Sequence, residues 1–283
     1  MAVAPAREVP AARPSLQETF VDSRLYEALA SFAGMGSLTV KTFRGIFSRP
    51  VNWLPDAIEE AAAGVRRCFI PLLISHGVYL IGFGVILFGR ILTNIGVIER
   101  EAGAMYLIWA REISTWITAM IFAGVVGAAV TADIGARRIR EELDALSVLG
   151  VDAVRALVVP RVVATALMAP ILAAISLLMV LTINLIVAPM HLGYPTGVYF
   201  DNVARTIYPP DLFFTMFLKN FLIGILVGIV ACHKGLTCKP GSEGVGRAVN
   251  QAVVISFFSI WLLNSFFNLA YVSAFPQVST LRG

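Results

Sequence analysis

The chain has 283 residues and 30.5 kDa, of which 58% are hydrophobic and 14% charged, with a mean hydropathy of +0.79. A soluble domain covers its surface with roughly 25% charged residues, so a water-soluble globule is excluded and an integral membrane protein is indicated. The formal net charge of +4, from 22 basic and 18 acidic residues, is explained below by membrane topology, and nothing indicates nucleic-acid binding.

Residues 1–20 are rich in Ala and Pro and read as a disordered tail, with no apolar h-region of a cleavable signal peptide. Residues 21–66 follow as an interfacial, cytoplasmic helical region. Helical periodicity sets in with Leu25, Leu29 and Phe32, and resumes past Gly34 and Gly36 with Val40, Phe43 and Phe47 beside Lys41, Arg44 and Arg49. A basic amphipathic stretch ahead of a first span predicts a helix lying in the membrane interface, with a soluble helical cap as the alternative. Pro55 followed by Asp56, Glu59 and Glu60 suits a new helix start, with proline in the first turn and acids at the positive dipole end.

The intervals between charges measure the membrane spans. No Asp, Glu, Lys or Arg occurs in residues 68–89, 113–132, 162–200, 220–233 or 248–281. A hydrocarbon core of about 30 Å needs about 20 apolar residues as helix, which predicts five spans at approximately 67–90, 107–132, 161–188, 211–233 and 248–272. The fourth reaches that length only by including Lys219, an ionisable residue that either snorkels or is functional. Small residues mark contact surfaces: Ala119, Ala123, Gly127 and Thr131 form one row of span two, Gly124, Ala128 and Ala132 its neighbour, and Gly224 and Gly228 a pair in span four. The segment from Pro189 to Asp211 reads as a partly helical extracytoplasmic loop. Asn264 and Asn268, one turn apart in span five, suit bonds across helices.

Basic residues near the spans stay on the cytoplasmic side. Residues 1–67, 133–161 and 234–247 hold sixteen of the 22, which puts the N-terminus inside and the C-terminus outside. Cys68, Cys232 and Cys238 then fall at or near the reducing side, so no disulfide framework is expected. Cys232, His233 and Cys238 match no zinc spacing, and no metal site is expected.

The richest charged stretch runs from Asp133 to Asp152. Arg137 with Glu141, Arg138 with Glu142 and Arg140 with Asp144 stand at i,i+4, and Ile139, Leu143 and Leu146 form an apolar stripe. These predict one short amphipathic helix, stopped at Gly150, with Asp152 capping the helix that follows. About a dozen residues are marginal as a helix in water, so the stripe docks either on the protein's own membrane domain or in a groove of a cytoplasmic partner.

Residues 122–164, FAGVVGAAVTADIGARRIREELDALSVLGVDAVRALVVPRVVA, closely resemble the segment that identifies MlaE/YrbE-family permeases, the membrane subunits of MCE-type lipid ABC transporters. Residues 241–256, GSEGVGRAVNQAVVIS, are similar to the family's last cytoplasmic loop. Val125, Glu142, Ala153 and the Ile113-Ser114 step depart from the usual pattern and resemble a divergent branch such as the actinobacterial YrbE proteins.

The resemblance implies an all-α integral membrane protein of the plasma (inner) membrane, with an N-terminal interfacial helix, a permease domain over 67–283 and a cytoplasmic coupling helix between spans two and three. It implies pairing with a second permease of the same kind, copy or paralogue, a separate cytoplasmic P-loop ATPase that binds ATP and Mg, and MCE-domain proteins on the outer side. The cargo would be a phospholipid, a fatty or mycolic acid, or a sterol. Contact with the ATPase would fall to Arg137, Arg138, Ile139, Glu141, Glu142, Leu143, Asp144 and Leu146. Matched by motif, Arg111, Glu112 and Lys219 would lie at the lipid cavity, either holding an acidic headgroup or forming an internal Glu112 to Lys219 ion pair. No cofactor is expected on this chain, because residues 235–246 lack the Gly-Lys-Ser/Thr step of a phosphate loop.

Other classes fit less well. An intramembrane enzyme needs assembled catalytic groups, yet His76 alone among the histidines lies well inside a span and no HExxH occurs, so no catalytic residue is assigned. A proton-coupled lipid carrier needs buried acids and inverted repeats; Glu112 is the one candidate acid, and five spans do not halve. A membrane scaffold subunit is the remaining alternative.

Overall fold

The computed structural model describes residues 24–49 and 51–276; the tail expected over 1–20 lies outside them. Helix α1 (Arg24–Phe47) runs unbroken through Gly34 and Gly36. Five long apolar helices follow, α2 (Leu54–Asn94), α3 (Ile98–Ile139), α5 (Val154–Leu192), α7 (Asp211–Leu236) and α8 (Ser242–Ala274), each long enough to cross a bilayer. Two short helices sit between them, α4 (Glu142–Val148) after α3 and α6 (Thr196–Thr206) after α5. Among the described residues the chain is all-helical, and it is an integral membrane protein of five spans.

Each span is longer than the expected 67–90, 107–132, 161–188, 211–233 and 248–272, because helix geometry tolerates charges at its ends that hydrocarbon does not. Span three, expected to stop near Ala188, continues to Leu192 and ends at Gly193, whose φ of 75° is the left-handed stop that glycine adopts freely. Asp133 lies inside α3, where its carboxylate meets Arg161 of α5 at 2.5 Å and Arg137 one turn on at 3.2 Å.

Helix α5 is central. Its face carrying Val162, Thr165 and Ala166 receives Gly224 and Gly228 of α7 so closely that a methyl group at Gly224 would meet Ala166 Cα at 2.8 Å. Without hydrophobic drive in lipid, such close backbone packing is what holds spans together. The row Ala119, Ala123 and Thr131 of α3 is buried, with Thr131 Oγ1 donating to Ala231 O at 3.2 Å and a Cβ on Gly127 3.2 Å from Val227. Its neighbouring row is less enclosed: Ala128 and Ala132 are half-buried, and Gly124 meets nothing within 4 Å.

Two apolar cores result. One, toward the α4 end, gathers Phe122, Ile134, Met168, Leu172 and Val227; the other, toward the α6 end, gathers Leu80, Tyr106, Trp109, Val180 and Tyr194. Helix α1 lies against the α4 end. Met35, Leu38 and Thr42 are buried, whereas Tyr26, Leu29, Phe32, Val40, Phe43 and Phe47 stay exposed. At 100° per residue those six occupy about a third of the helix circumference, the single apolar stripe of an interfacial helix.

The expected helix between spans two and three is broken. Helix α3 ends at Ile139, Arg140 leaves helical geometry, and Glu141 takes the left-handed conformation at φ 59° before α4 begins. The expected pairs Arg137 with Glu141, Arg138 with Glu142 and Arg140 with Asp144 therefore do not form. Arg137 bonds Asp133 and Glu142, Arg140 meets Glu142 at 2.7 Å, and Arg138 donates to the Leu236 carbonyl at the end of α7. Gly150, at φ 72°, ends α4 as expected, and Asp152 Oδ1 accepts from Val154 N at 2.9 Å as the expected cap.

Candidate functional site

Near the α6 end, the helical ladder loosens where charge enters the bundle. Trp109–Ile113 of α3 and Asp211–Leu218 of α7 are π-helical, a geometry that recurs at functional sites. Arg111 and Glu112 stand in the first of these turns, and Lys219 directly follows the second. The Arg111 carbonyl accepts from Lys219 Nζ at 2.5 Å, and Asn268 Oδ1 on α8 lies 3.3 Å from the same ammonium. Phe267 presents its ring 6.0 Å away.

The three charges expected at a lipid cavity are thus brought together, in the arrangement of internal ion pairs. Glu112 Oε1 is 3.8 Å from Lys219 Nζ. Glu112 Oε2 accepts from Asn264 Nδ2 at 3.1 Å and from Trp116 Nε1 at 3.3 Å. Arg111 donates to Asp211 Oδ2 through both Nε at 3.1 Å and Nη2 at 3.0 Å, two charge-assisted bonds onto one oxygen. Tyr271 OH donates to the other Asp211 oxygen at 2.5 Å. Lys219 and Asp211 side chains are wholly buried, while Arg111 is 24% and Glu112 39% exposed.

Glu112 as the one candidate buried acid is corrected: it is the exposed member, and among the described residues Asp211 and Glu101 are the fully buried acids. Asp211 follows Pro209 and Pro210 at a span boundary and reads in sequence as an ordinary first-turn acid. Glu101 reads as part of a loop, yet it sits at the head of α3 and accepts from Tyr194 OH at 2.6 Å and Asn184 Nδ2 at 3.4 Å. Tyr194 lies outside the spans, and burial, then the Glu101 carboxylate, hold its phenol well above the usual range, so it remains a donor. Asn202 also bonds the Glu99 carbonyl. Together these tie α6 and its loop onto the start of α3.

His76 meets no acid. Its Nδ1 lies 3.0 Å from the Leu72 carbonyl, which fixes a proton there and leaves Nε2 to accept from Ser176 Oγ at 2.5 Å. Ser114 donates to Ser176 at 2.9 Å. This buried chain pins α2, α3 and α5 to one another.

At the opposite end, the residues expected to meet a partner split between two elements. Arg137, Arg138 and Ile139 end α3, Glu141 is the turn, and Glu142, Leu143, Asp144 and Leu146 belong to α4. Leu143 and Leu146 are only half-exposed, whereas Val148, at 86%, and Leu149, at 75%, are the most open apolar side chains of the elbow. Sequence periodicity missed them because the break at Glu141 starts α4 afresh, so its faces do not continue the register of α3.

A five-span helical bundle with paired charges inside one end and an apolar tip at the other is a polytopic membrane protein. Residues 61–270 match the Permease MlaE family, and the chain belongs to that family. It is similar to the "Probable ABC transporter permease protein slr1045" of Synechocystis, 36% identical over 60% of this chain and 65% of the relative. It is also similar to "Protein TRIGALACTOSYLDIACYLGLYCEROL 1, chloroplastic" of Arabidopsis thaliana, 31% identical over 82% of this chain and 65% of the relative. A "Probable ABC transporter permease protein" of Rickettsia bellii is 30% identical over 58% of this chain and 62% of the relative. The matched region thus spans just under two thirds of these relatives.

Proposed function

We propose that the protein is the membrane permease of an ATP-driven MCE lipid transporter. It lies in the plasma (inner) membrane with the N-terminus and α4 cytoplasmic, pairs with a second permease, copy or paralogue, and meets MCE-domain proteins at the α6 end. ATP and Mg are bound by a separate P-loop ATPase that docks on the α3–α4 elbow, from Arg137 to Leu149. Arg111, Glu112 and Lys219 form the polar head of the lipid site. The observation that carries this reading is the elbow itself. A left-handed Glu141, latched by Arg137 and Arg140 on Glu142, projects Val148 and Leu149 beyond the bundle, where two exposed aliphatic side chains are costly without a partner groove.

The test is purification in mild detergent followed by mass spectrometry of what is retained. A P-loop ATPase is expected with the wild type, and Leu149→Asp, which leaves the spans untouched, is expected to lower its recovery at least about ten-fold, a loss of roughly 1.4 kcal/mol. Undiminished recovery with Leu149→Asp removes the elbow as the dock. Wild-type protein free of ATPase, under conditions that keep other ABC complexes intact, leaves a membrane scaffold as the better reading.

A further inference from the structure

We infer that the polar site at the α6 end selects lipids with a hydrogen-bond-donating head and no net negative charge, and that Glu112 is the residue that sets this selectivity. The inference rests on the reading of the chain as a lipid permease.

Two cations and two anions make up the site, Arg111 and Lys219 against Asp211 and Glu112, and they sum to zero. Both cations are committed. Arg111 spans Asp211 Oδ2 with two nitrogens. Lys219 is wholly buried and spends its ammonium on the Arg111 carbonyl, Asn268 and the Glu112 carboxylate. The group that remains most open is the acid, at 39% exposure. Its two oxygens are unequal: Oε2 takes both donors, Asn264 and Trp116, whereas Oε1 faces only the ammonium at 3.8 Å, beyond hydrogen-bond length.

An ionised carboxylate accepts and never donates. Accessible from an apolar surface, with one oxygen unfilled, it is a receptor for O–H or N–H groups. An anionic head brought to the same place meets like charge in a medium where charges are poorly screened, and among the described residues of the site both cations are already engaged. Trp116 and Trp261, with ring centroids 4.0 Å apart, stand beside the carboxylate and offer flat apolar surface to the part of the lipid behind its head.

The experiment presents the detergent-solubilised protein with equal amounts of phosphatidylethanolamine, phosphatidylcholine and phosphatidic acid of the same acyl chains, and weighs the lipid retained after exhaustive detergent exchange by mass spectrometry. The first is neutral overall with donors, the second neutral without them, the third anionic. The wild type is expected to retain phosphatidylethanolamine about ten-fold over phosphatidic acid, with phosphatidylcholine between them. Glu112→Gln keeps the shape and the Asn264 and Trp116 bonds but leaves Lys219 unbalanced, so it should level the two neutral lipids and raise phosphatidic acid. Wild-type preference for phosphatidic acid, retention without preference, or unchanged ratios in Glu112→Gln overturns the selectivity. No retention of any of the three by either form overturns the lipid-permease reading beneath it.

Discussion

Lys219 and Asp211 are ionic groups that the bundle tolerates only because each is saturated, and their removal is predicted to be expensive for different reasons. Lys219→Met fills the same space with an apolar chain but strips a donor from the Arg111 carbonyl and Asn268 and a counter-charge from Glu112. A loss of about 2–4 kcal/mol is expected, measured as a lower thermal unfolding midpoint in detergent. Asp211→Ala leaves the Arg111 guanidinium without its carboxylate and should cost about 3–5 kcal/mol, whereas Tyr271→Phe removes one hydrogen bond to a buried carboxylate and should cost about 1.5–3 kcal/mol. Equal costs for these two substitutions would show that Asp211 matters through Tyr271 and not through Arg111. The sequence made Arg111, Glu112 and Lys219 conspicuous because charge stands out against hydrocarbon. Asp211 and Glu101 escaped notice because acids next to proline or loop segments are ordinary, and only folding shows that one is sealed under Arg111 and Tyr271 and the other under Tyr194.

Among elements, the closest approach is predicted to be the least forgiving. Gly224→Leu would drive a side chain into the α5 backbone at Thr165 and Ala166, and is expected to abolish recovery of folded protein, read as aggregation on size-exclusion chromatography. Gly36→Ala, in open space on α1, should be neutral or stabilising by up to about 1 kcal/mol, since alanine is the better helix former. The close-contact spacing of Gly224 and Gly228 was legible because small residues four apart have one main use in lipid. The π-helical turns were not legible, because inserting one residue into a turn changes neither composition nor hydropathy. The break at Glu141 was hidden for an energetic reason. Charge pairs at i,i+4 contribute only about 0.3–0.5 kcal/mol each, and Arg138 found the Leu236 carbonyl while Arg137 found Asp133. One tertiary partner, the Leu236 carbonyl on α7, and a different i,i+4 pair, Arg137 with Asp133 inside α3, outweighed the register from which one helix was read.

For the molecule as a whole, span number followed from charge-free intervals with no knowledge of packing, since the membrane imposes its thickness on every crossing segment. What those intervals leave open is which helix lies inside. Helix α7 is the most enclosed span and α8 the least, although both read as apolar helices of similar character. The difference lies in neighbours: α7 is wedged against α5 by its glycines, while α8 turns Val254, Phe258, Trp261, Phe266 and Leu269 outward. Trp261→Ala, on that outward face, is accordingly expected to change the stability of the detergent-solubilised protein by no more than about 1 kcal/mol, read as a small shift of the midpoint in the same thermal scan.

Helix α3 carries Glu112 near one end and the elbow at the other, and between them runs the π-helical turn Ala123–Gly127. From Glu112 to Ile139 is on the order of 40 Å along the axis, the length of a drive shaft crossing the whole bilayer. A shaft of plain α-helix transmits tilt, but one that contains an extra residue in a turn has a slip joint. If that turn moves along the helix by one residue, the residue it passes is rephased by about 100° relative to its neighbours. The wide turn thus lets single residues in the middle of α3 change the face they present while Glu112 and Ile139 keep their own neighbours at the two ends.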